Sequence, residues 1–227
     1  MQRLDKYLAN LWLLSRREAP LKCKKGEVLL NWEITKKSDV KIKEGDQITI
    51  NWQTIEVLEN IYAILYKSSG YISSDEDEFW YLSYKKQMLD CPYVNLLHVA
   101  WRLDVDTEGL LLLSNDWQFI HQVISPKRDK EKEYEVHLEK EISEEECKQL
   151  ENGVTLDDGY KTKPAKVEKI DNKKILLTIT EWKYHQVKRM LEAVNNKVIY
   201  LKRIRIWNRN LDWLNKGDWK LFSHSNN

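Results

Sequence analysis

A run of five apolar residues, 109–113, follows directly on three acidic side chains that alternate along the chain, Asp104, Asp106 and Glu108. In a folded protein an apolar run of this length is normally buried as a strand or short helix, so the carboxylates must lie at the edge of a core. Carboxylates at such an edge are often nucleophiles or general bases, although solvated loop acids before a core strand give the same pattern. The segment therefore predicts a buried element with candidate catalytic acids at its start.

The residue order around these acids is more informative than their charge. Three short matches resemble the active-site motif of pseudouridine synthases, in particular the RsuA branch that acts on ribosomal RNA: Arg102-Leu103-Asp104, Asp106-Thr107 and Gly109-Leu110. In that family the Asp after Arg-Leu is the nucleophile, so the resemblance implies this role for Asp104. Asp106 and Glu108 are then supporting residues, and Arg102 is expected to grip a phosphate beside the target nucleotide.

Residues 132–136 and 180–190 extend the resemblance towards the C-terminus. The first stretch alternates polar and apolar residues as a half-buried strand does. Its family counterpart supplies a Tyr that stacks on the target base, which implies this role for Tyr134. In the second stretch the family has a basic residue that forms an ion pair with the nucleophile. Lys188 is the first choice for that partner, and Arg189 is the second.

Two shorter matches, residues 66–71 and 162–165, complete an ordered series along the chain. The order of the matches makes the resemblance more specific than any one of them. From the matched stretches, the resemblance implies further RNA contacts by Lys67, His185 and Gln186.

The first 45 residues hold eleven Lys or Arg against six Asp or Glu, a net charge of +5 on a short module. Residues 3–8, 15–19, 26–31 and 44–46 look like the small RNA-binding domain shared with a small-subunit ribosomal protein, here called the S-four-like domain. That domain commonly precedes the catalytic domain in these enzymes. Clustered basic residues suit phosphate contacts, although a solvated helix face shows the same charge. The expected contacts are Arg3, Lys6, Arg16 and Arg17.

Charge is segregated along the chain, although the whole chain has a net charge of only +1. Residues 182–209 carry eight Lys or Arg and one Glu, whereas acids concentrate at 75–78 and 139–151. Basic surfaces of this kind attract RNA electrostatically. Together with the family resemblance, this charge pattern implies ribosomal RNA, or a pre-ribosomal particle, as the partner.

Several other classes of protein do not fit the composition. Three widely spaced Cys indicate neither a disulfide framework nor a zinc site, and the five His show no metal-ligand spacing. No apolar stretch approaches the roughly 20 residues that a membrane helix needs, and no signal peptide opens the chain. We expect a cytoplasmic monomer that uses no metal and no cofactor.

The order of the predicted elements is typical of an α+β protein with two domains. We expect a small α/β S-four-like RNA-binding domain at 1–57, followed at 61–227 by a pseudouridine synthase catalytic domain with a mixed, largely antiparallel sheet. Local patterns predict four elements of the second domain: a strand at 61–66, a helix at 143–150 opened by a capping box, a hairpin of 166–170 with 174–180, and a helix at 185–194.

The resemblance implies an enzyme that isomerises a uridine of ribosomal RNA, in the 16S small-subunit rRNA, to pseudouridine. The uridine must be flipped out of its stack, and the carboxylate then either attacks C1′ or assists its deprotonation. Large-subunit 23S rRNA and a non-catalytic role in RNA binding or ribosome assembly are the alternatives. A metal-dependent phosphoryl or glycosyl enzyme using Asp104 and Asp106 is a third, disfavoured because alternate side chains of an extended segment face opposite sides.

Tryptophan stands at several positions where the resembling family has glycine. The chain holds ten Trp but only seven Gly. Asn31-Trp32 and Asn51-Trp52 occupy the place of Asn-Gly hairpin turns, which need a positive φ that bulky residues tolerate poorly. Trp12 and Trp80 are candidates for the same replacement. Six tryptophans lie at family glycine positions: Trp32, Trp52, Trp101, Trp117, Trp182 and Trp207.

One hypothesis for these residues is that they are encoded by UGA and that the source lineage reads UGA as glycine. True divergence and deliberate substitution are the alternatives, and UGG codons at the six positions would exclude recoding. If the tryptophans are real, Trp101 and Trp182 flank the proposed nucleophile and its basic partner, where crowding would impair activity.

Overall fold

The computed structural model describes residues 1–125 and 129–224, so residues 126–128 and 225–227 of the predicted second domain lie outside the description. Five α-helices occur in this part of the chain: α1 (Leu4–Asn10), α2 (Glu18–Lys25), α3 (Trp117–Ile124), α4 (Glu144–Asn152) and α5 (Gln186–Ala193). Two short 3₁₀ turns are found at Tyr84–Gln87 and Val94–Leu96. The strands are β1 (Gln2–Arg3), β2 (Val28–Leu30), β3 (Glu33–Ile34), β4 (Lys41–Ile42), β5 (Gln47–Ile50), β6 (Gln53–Glu56), β7 (Tyr62–Lys67), β8 (Tyr71–Ile72), β9 (Leu82–Ser83), β10 (His98–Val99), β11 (Glu108–Ser114), β12 (Lys132–Leu138), β13 (Lys166–Asp171), β14 (Lys174–Ile179), β15 (Val198–Ile206), β16 (Arg209–Asn210) and β17 (Trp219–Leu221).

The N-terminal region consists of α1, α2 and a small antiparallel sheet. Its strands lie in the order β3-β2-β5-β6, and β1 and β4 form a separate pair. Helix α1 buries Leu4, Tyr7 and Leu8, and α2 buries Ala19. Pro20 lies in the first turn of α2, where its missing N–H removes no helical hydrogen bond.

A nine-stranded sheet dominates the rest of the molecule. Its main path is β13-β14-β12-β15-β11-β7-β17, with β10 paired to β11 and β16 to β15. Every pairing in this sheet is antiparallel except that of β11 with β15. The predicted α+β class with a mixed, largely antiparallel sheet is therefore confirmed.

Strand β11 contains the apolar run and lies between β7 and β15. All seven of its residues are buried, so the run is a core strand with the acidic residues at its entry, as predicted. Gly109 allows the close approach of β11 to β15. Its φ is 107°, and a Cβ at this position would lie 2.2 Å from the backbone oxygen of Arg203. Only glycine fits such a contact.

The four local predictions for the second domain are confirmed, with ends that differ by one or two residues. Helix α4 begins after Ser143, whose side chain and that of Glu146 form the predicted capping box. Strands β13 and β14 form the predicted hairpin, β7 is the predicted first strand, and α5 is the predicted amphipathic helix.

One hydrophobic cluster runs from the N-terminal region into the large sheet, and it includes Leu8, Ile55, Leu65 and Leu111. The Tyr93 hydroxyl also links the two regions, because it donates to the backbone oxygen of Glu56 at 2.8 Å. Within the described ranges, no helix has the length and apolarity that crossing a membrane requires.

Four tryptophans adopt the left-handed backbone that favours glycine. Their φ values are 61° at Trp12, 70° at Trp32, 65° at Trp52 and 52° at Trp207. The asparagines before Trp32 and Trp52 also have positive φ, so both Asn-Trp dipeptides form the turns that the sequence predicts. Three other tryptophans at family glycine positions lack a positive φ: Trp101, Trp117 and Trp182. The backbone thus resembles that of a glycine at some of these sites only.

Candidate active site

Asp104 lies in a tight turn that leads into β11. The backbone N–H of Thr107 donates to the Asp104 carbonyl at 3.1 Å, and Gly70 N–H donates to the Val105 carbonyl at 2.8 Å. The expectation that Asp104 and Asp106 lie on an extended segment and face opposite sides is therefore wrong. A turn brings alternate side chains to one side, because its backbone reverses direction within four residues.

Helix α5 places the amine of Lys188 between these two carboxylates. Lys188 Nζ lies 3.1 Å from Asp104 Oδ2 and 2.7 Å from Asp106 Oδ1. Burial acts to lower the pKa of Lys188, but hydrogen bonds to Asp106 and Asp104 outweigh it and leave that pKa raised. Burial likewise acts to raise the pKa of Asp106, and the bond from Lys188 overcomes it, so this pKa is lowered.

Arg189, the second choice for the nucleophile's partner, does not contact Asp104. Its guanidinium forms ion pairs with Asp157 and Asp158, the latter at 2.7 Å. Successive residues of a helix project about 100° apart, so only one of two neighbours can face the Asp104 turn. Of the two candidates, the geometry selects Lys188.

His185 precedes α5 and also faces the nucleophile candidate. Its Nε2 lies 3.5 Å from Asp104 Oδ2, and its ring stacks on that of Tyr184 with the centroids 3.8 Å apart. The His185 backbone is left-handed, with a φ of 49°. Non-glycine residues adopt this conformation at a cost, and such strain concentrates at functional sites.

Tyr134 lies on β12 and lines the same small cavity as Asp104. The cavity has a volume of about 40 Å³. Tyr134 is buried, with 7% of its surface exposed. The lining is formed by Arg102, Leu103, Asp104, Thr107, Tyr134, Ile179, Trp182, Lys183, His185, Gln186, Val187, Lys188 and Leu201. The predicted nucleophile, its cation and the predicted stacking residue are therefore brought together.

Arg203 on β15 holds the backbone that leads into the Asp104 turn. Arg203 is 1% exposed, and its guanidinium donates to the carbonyls of Trp101 at 2.8 Å, Leu110 at 2.9 Å and Arg102 at 3.3 Å. Burial lowers the pKa of this group. Nothing in the sequence singles out Arg203, because one Arg in a basic strand carries no sign of being buried.

Lys67 and Lys132 are two further buried cations near this turn. Lys67 Nζ donates to the carbonyl of Ser68 at 3.0 Å and lies 3.5 Å from that of Val105. Lys132 Nζ donates to two carbonyls and lies 3.8 Å from the centre of the Trp101 ring. Burial lowers the pKa of Lys67 to about 8 and that of Lys132 to about 7.

Lys67, which was predicted to contact RNA, is buried in this structure. Lys67 is 0% exposed, and its amine is used within the fold. Gln186, also predicted to contact RNA, is buried with 4% of its surface exposed and lines the Asp104 cavity. The five other basic residues predicted to contact RNA are exposed: Arg3, Lys6, Arg16, Arg17 and Arg102. Arg3 also forms an ion pair with Asp5 at 2.7 Å.

Glu108 has a structural role. Its carboxylate is buried and accepts from Lys216 at 2.9 Å and from the Tyr200 hydroxyl at 3.0 Å. Burial acts to raise the pKa of Glu108, and these two bonds overcome it, so this pKa is lowered. Neither partner is identifiable from sequence, because both lie more than ninety residues along the chain.

Comparison with protein families gives two matches. The RNA pseudouridylate synthase model matches residues 61–193, and the S4 domain model matches residues 2–48. An uncharacterized RNA pseudouridine synthase, YtzG of Bacillus subtilis, is 42% identical over 221 residues, which cover 92% of this chain and 90% of the relative. The ribosomal small subunit pseudouridine synthase A of Haemophilus influenzae is 38% identical over 226 residues. The alignment covers 98% of this chain and 97% of the relative.

The fold agrees with these sequence matches. A crystal structure of a pseudouridylate synthase is 36% identical and superposes with a TM-score of 0.69, covering 98% of this chain and 96% of that chain. The turn with Asp104, the cation on α5 and the Tyr of β12 all lie within the matched catalytic region. This chain belongs to the RNA pseudouridine synthase family, and it is a pseudouridine synthase with an S4 domain at its N-terminus.

Proposed function

We propose that this enzyme acts on small-subunit ribosomal RNA and converts a specific uridine of the 16S rRNA to pseudouridine. The reaction breaks the bond from N1 to C1′, turns the uracil and rejoins it through C5. Its chemistry calls for a carboxylate at the ribose and a site that retains the detached base. Relatives named ribosomal small subunit pseudouridine synthase A, 38% identical over 98% of the chain in one case, support this choice of substrate.

The observation that carries the proposal is the contact of Lys188 with Asp104 in a cavity that Tyr134 also lines. In this proposal Asp104 is the nucleophile. Lys188 orients its carboxylate through their 3.1 Å contact. Tyr134 offers the edge or face of its ring to the flipped uracil, because aromatic side chains retain unstacked bases.

We further propose that exposed basic residues hold the RNA on either side of the target. Residues 1–57 would bind the RNA backbone, and residues 61–227 would carry out the chemistry. Phosphate contacts position an RNA without reading its sequence, which suits exposed Lys and Arg side chains. The residues proposed for RNA contacts are Arg3, Lys6, Arg16, Arg17, Arg102 and His185.

Mapping pseudouridines in the rRNA of a strain that lacks this gene tests the proposal. We expect one 16S pseudouridine to disappear, to return on complementation with the chain, and to stay absent with Asp104→Asn. An altered 23S map with an intact 16S map would move the substrate to the large subunit. An unchanged map in both rRNAs would refute the proposal.

A further inference from the structure

Two buried polar atoms in the Asp104 cavity have no hydrogen-bond partner among the described residues. They are Thr107 Oγ1 and Gln186 Oε1. Both residues line the cavity, and they are 2% and 4% exposed. A buried polar group without a partner costs about 1–3 kcal/mol, so native proteins rarely keep one without a use for it. Two such atoms in one cavity indicate a polar ligand.

The orientation of the Gln186 amide is determined by its surroundings. Its Nε2 donates to Glu181 Oε1 at 2.9 Å, and a carboxylate can only accept. The opposite amide orientation would place two acceptors against each other, so the NH₂ group must face Glu181. Glu181 is in turn held by the Tyr160 hydroxyl at 2.7 Å and the Lys163 N–H at 2.8 Å. The unpartnered atom of Gln186 is therefore an acceptor in a fixed position.

These two residues belong to the segments that carry the candidate catalytic groups. Thr107 closes the turn that contains Asp104, and Gln186 begins the helix that carries Lys188. A ligand held by both atoms would therefore lie beside Asp104 and Tyr134. The cavity of about 40 Å³ admits water but not a pyrimidine ring. A base therefore needs this cavity to widen, and Trp182, one of its lining residues, is 58% exposed.

We propose, building on the proposed function, that Gln186 and Thr107 read the Watson–Crick edge of the target uracil. Uracil carries an N3–H donor between two carbonyl oxygens. Gln186 Oε1 would accept from N3–H, and the Thr107 hydroxyl would donate to an adjacent carbonyl. Cytosine has an acceptor at N3, which would face the Gln186 oxygen without a proton between them. Gln186 is thus the discriminating residue, whereas Thr107, which can donate or accept, supports the same edge.

The test compares the binding of two synthetic RNAs, one with the mapped target uridine and one with cytidine in its place. Full-length Asp104→Asn protein serves as the parent, because it prevents turnover during the measurement. We expect the parent to bind the uridine RNA about 10- to 100-fold more tightly than the cytidine RNA. Adding Gln186→Met, which keeps the side-chain volume, should reduce that ratio to about one.

Position 107 provides a matched pair of variants. Thr107→Val removes the hydroxyl with little change in shape and should weaken binding of the uridine RNA, whereas Thr107→Ser should retain it. If Thr107 had a purely structural role, its loss would weaken the binding of both RNAs equally. The ratio of the affinities for uridine and cytidine RNA would then stay unchanged. Unfolding temperatures of all variants show whether the fold is intact.

An unchanged ratio in folded Gln186→Met protein would overturn the inference. If that variant does not fold, equal binding of the uridine RNA by Thr107→Val and Thr107→Ser overturns it instead. This failure differs from that of the proposed function. An unchanged rRNA map refutes the substrate, whereas an altered map with an unchanged ratio refutes only the reading of the base.

Discussion

Two sets of ionisable side chains contact the Asp104 turn or the residues just before it, and they are held in opposite ways. The paired charges are Asp104, Asp106 and Lys188, which are joined by salt bridges and are partly exposed. The buried cations are Lys67, Lys132 and Arg203, which are 0%, 0% and 1% exposed. The buried cations donate to backbone carbonyls and form no salt bridge with a carboxylate of residues 1–125 or 129–224.

This difference indicates that the paired charges serve catalysis and that the buried cations stabilise the fold. Paired charges that are partly exposed can change partners when RNA arrives, because solvent can reach them. Buried cations bonded to carbonyls cannot move without leaving polar groups unsatisfied, so they hold the backbone in one conformation. Substitutions among the paired charges should therefore alter activity, and those among the buried cations should alter stability.

The largest expected effect is that of Asp104→Asn, which should lower kcat by more than about 10⁴-fold. Asp106→Asn is the matched control, because Asp106 shares the Lys188 amine, and it should retain activity within about tenfold. Tritium release from RNA with [5-³H]uridine measures both rates. Equal losses in the two variants would contradict the assignment of Asp104 as the nucleophile.

Lys188→Met should lower kcat by about 10³-fold, because the Asp104 carboxylate loses the cation that orients it. Arg189→Met changes the next residue, whose partners Asp157 and Asp158 lie away from the site. It should leave kcat within about threefold of the parent. The same tritium assay at saturating RNA separates the two, and a larger loss from Arg189→Met would reverse the choice between them.

Among the buried cations, Arg203→Met should lower the free energy of unfolding by about 3 kcal/mol, because three carbonyls lose their donor. Arg205 lies on the same strand but pairs with Glu131 and Glu133 near the surface. Arg205→Met should cost at most about 1 kcal/mol. Urea unfolding measures both free energies. Equal losses in the two variants would show that the buried guanidinium stabilises the fold no more than the exposed one.

Lys132 should make stability depend on pH. Burial, followed by the charge of Arg203, lowers its pKa to about 7, below the ordinary value of 10.5. Between these values the unfolded chain binds more protons than the folded protein, so this group makes the free energy of unfolding rise with pH. Lys132→Met should flatten that rise between about pH 7 and 10, whereas the exposed Lys6→Met should not. Urea unfolding over a pH series tests this, and an unchanged slope in Lys132→Met would contradict it.

The smallest effect is expected far from both sets, at the turn tryptophans. Trp52→Gly should stabilise the protein by about 1 kcal/mol, because Trp52 has a φ of 65° and a fully exposed side chain. Trp117→Gly should destabilise it by about 1 kcal/mol, because Trp117 begins helix α3. Unfolding temperatures of the two variants test these predictions. If both changes destabilise the protein, the backbone at Trp52 is not strained.

Local patterns in the sequence predict much of the fold and part of the site. The capping box of Ser143 and Glu146, the β13 and β14 hairpin and the buried β11 strand all depend on neighbours along the chain. The Asp104 motif is local in the same sense. Arg203 could not be foreseen, because its burial depends on Gly109 and on two carbonyls about a hundred residues away.

The sequence by itself determined the family, the class of fold and Asp104 as the candidate nucleophile, since these depend on residue types in a fixed order. Only the tertiary structure decided that Lys188 rather than Arg189 meets Asp104, that Asp106 joins the pair, and that Lys67 is buried. The physical reason is that a side chain's direction depends on the turn or helix that carries it. Its partners and burial depend on elements packed against it from distant parts of the chain.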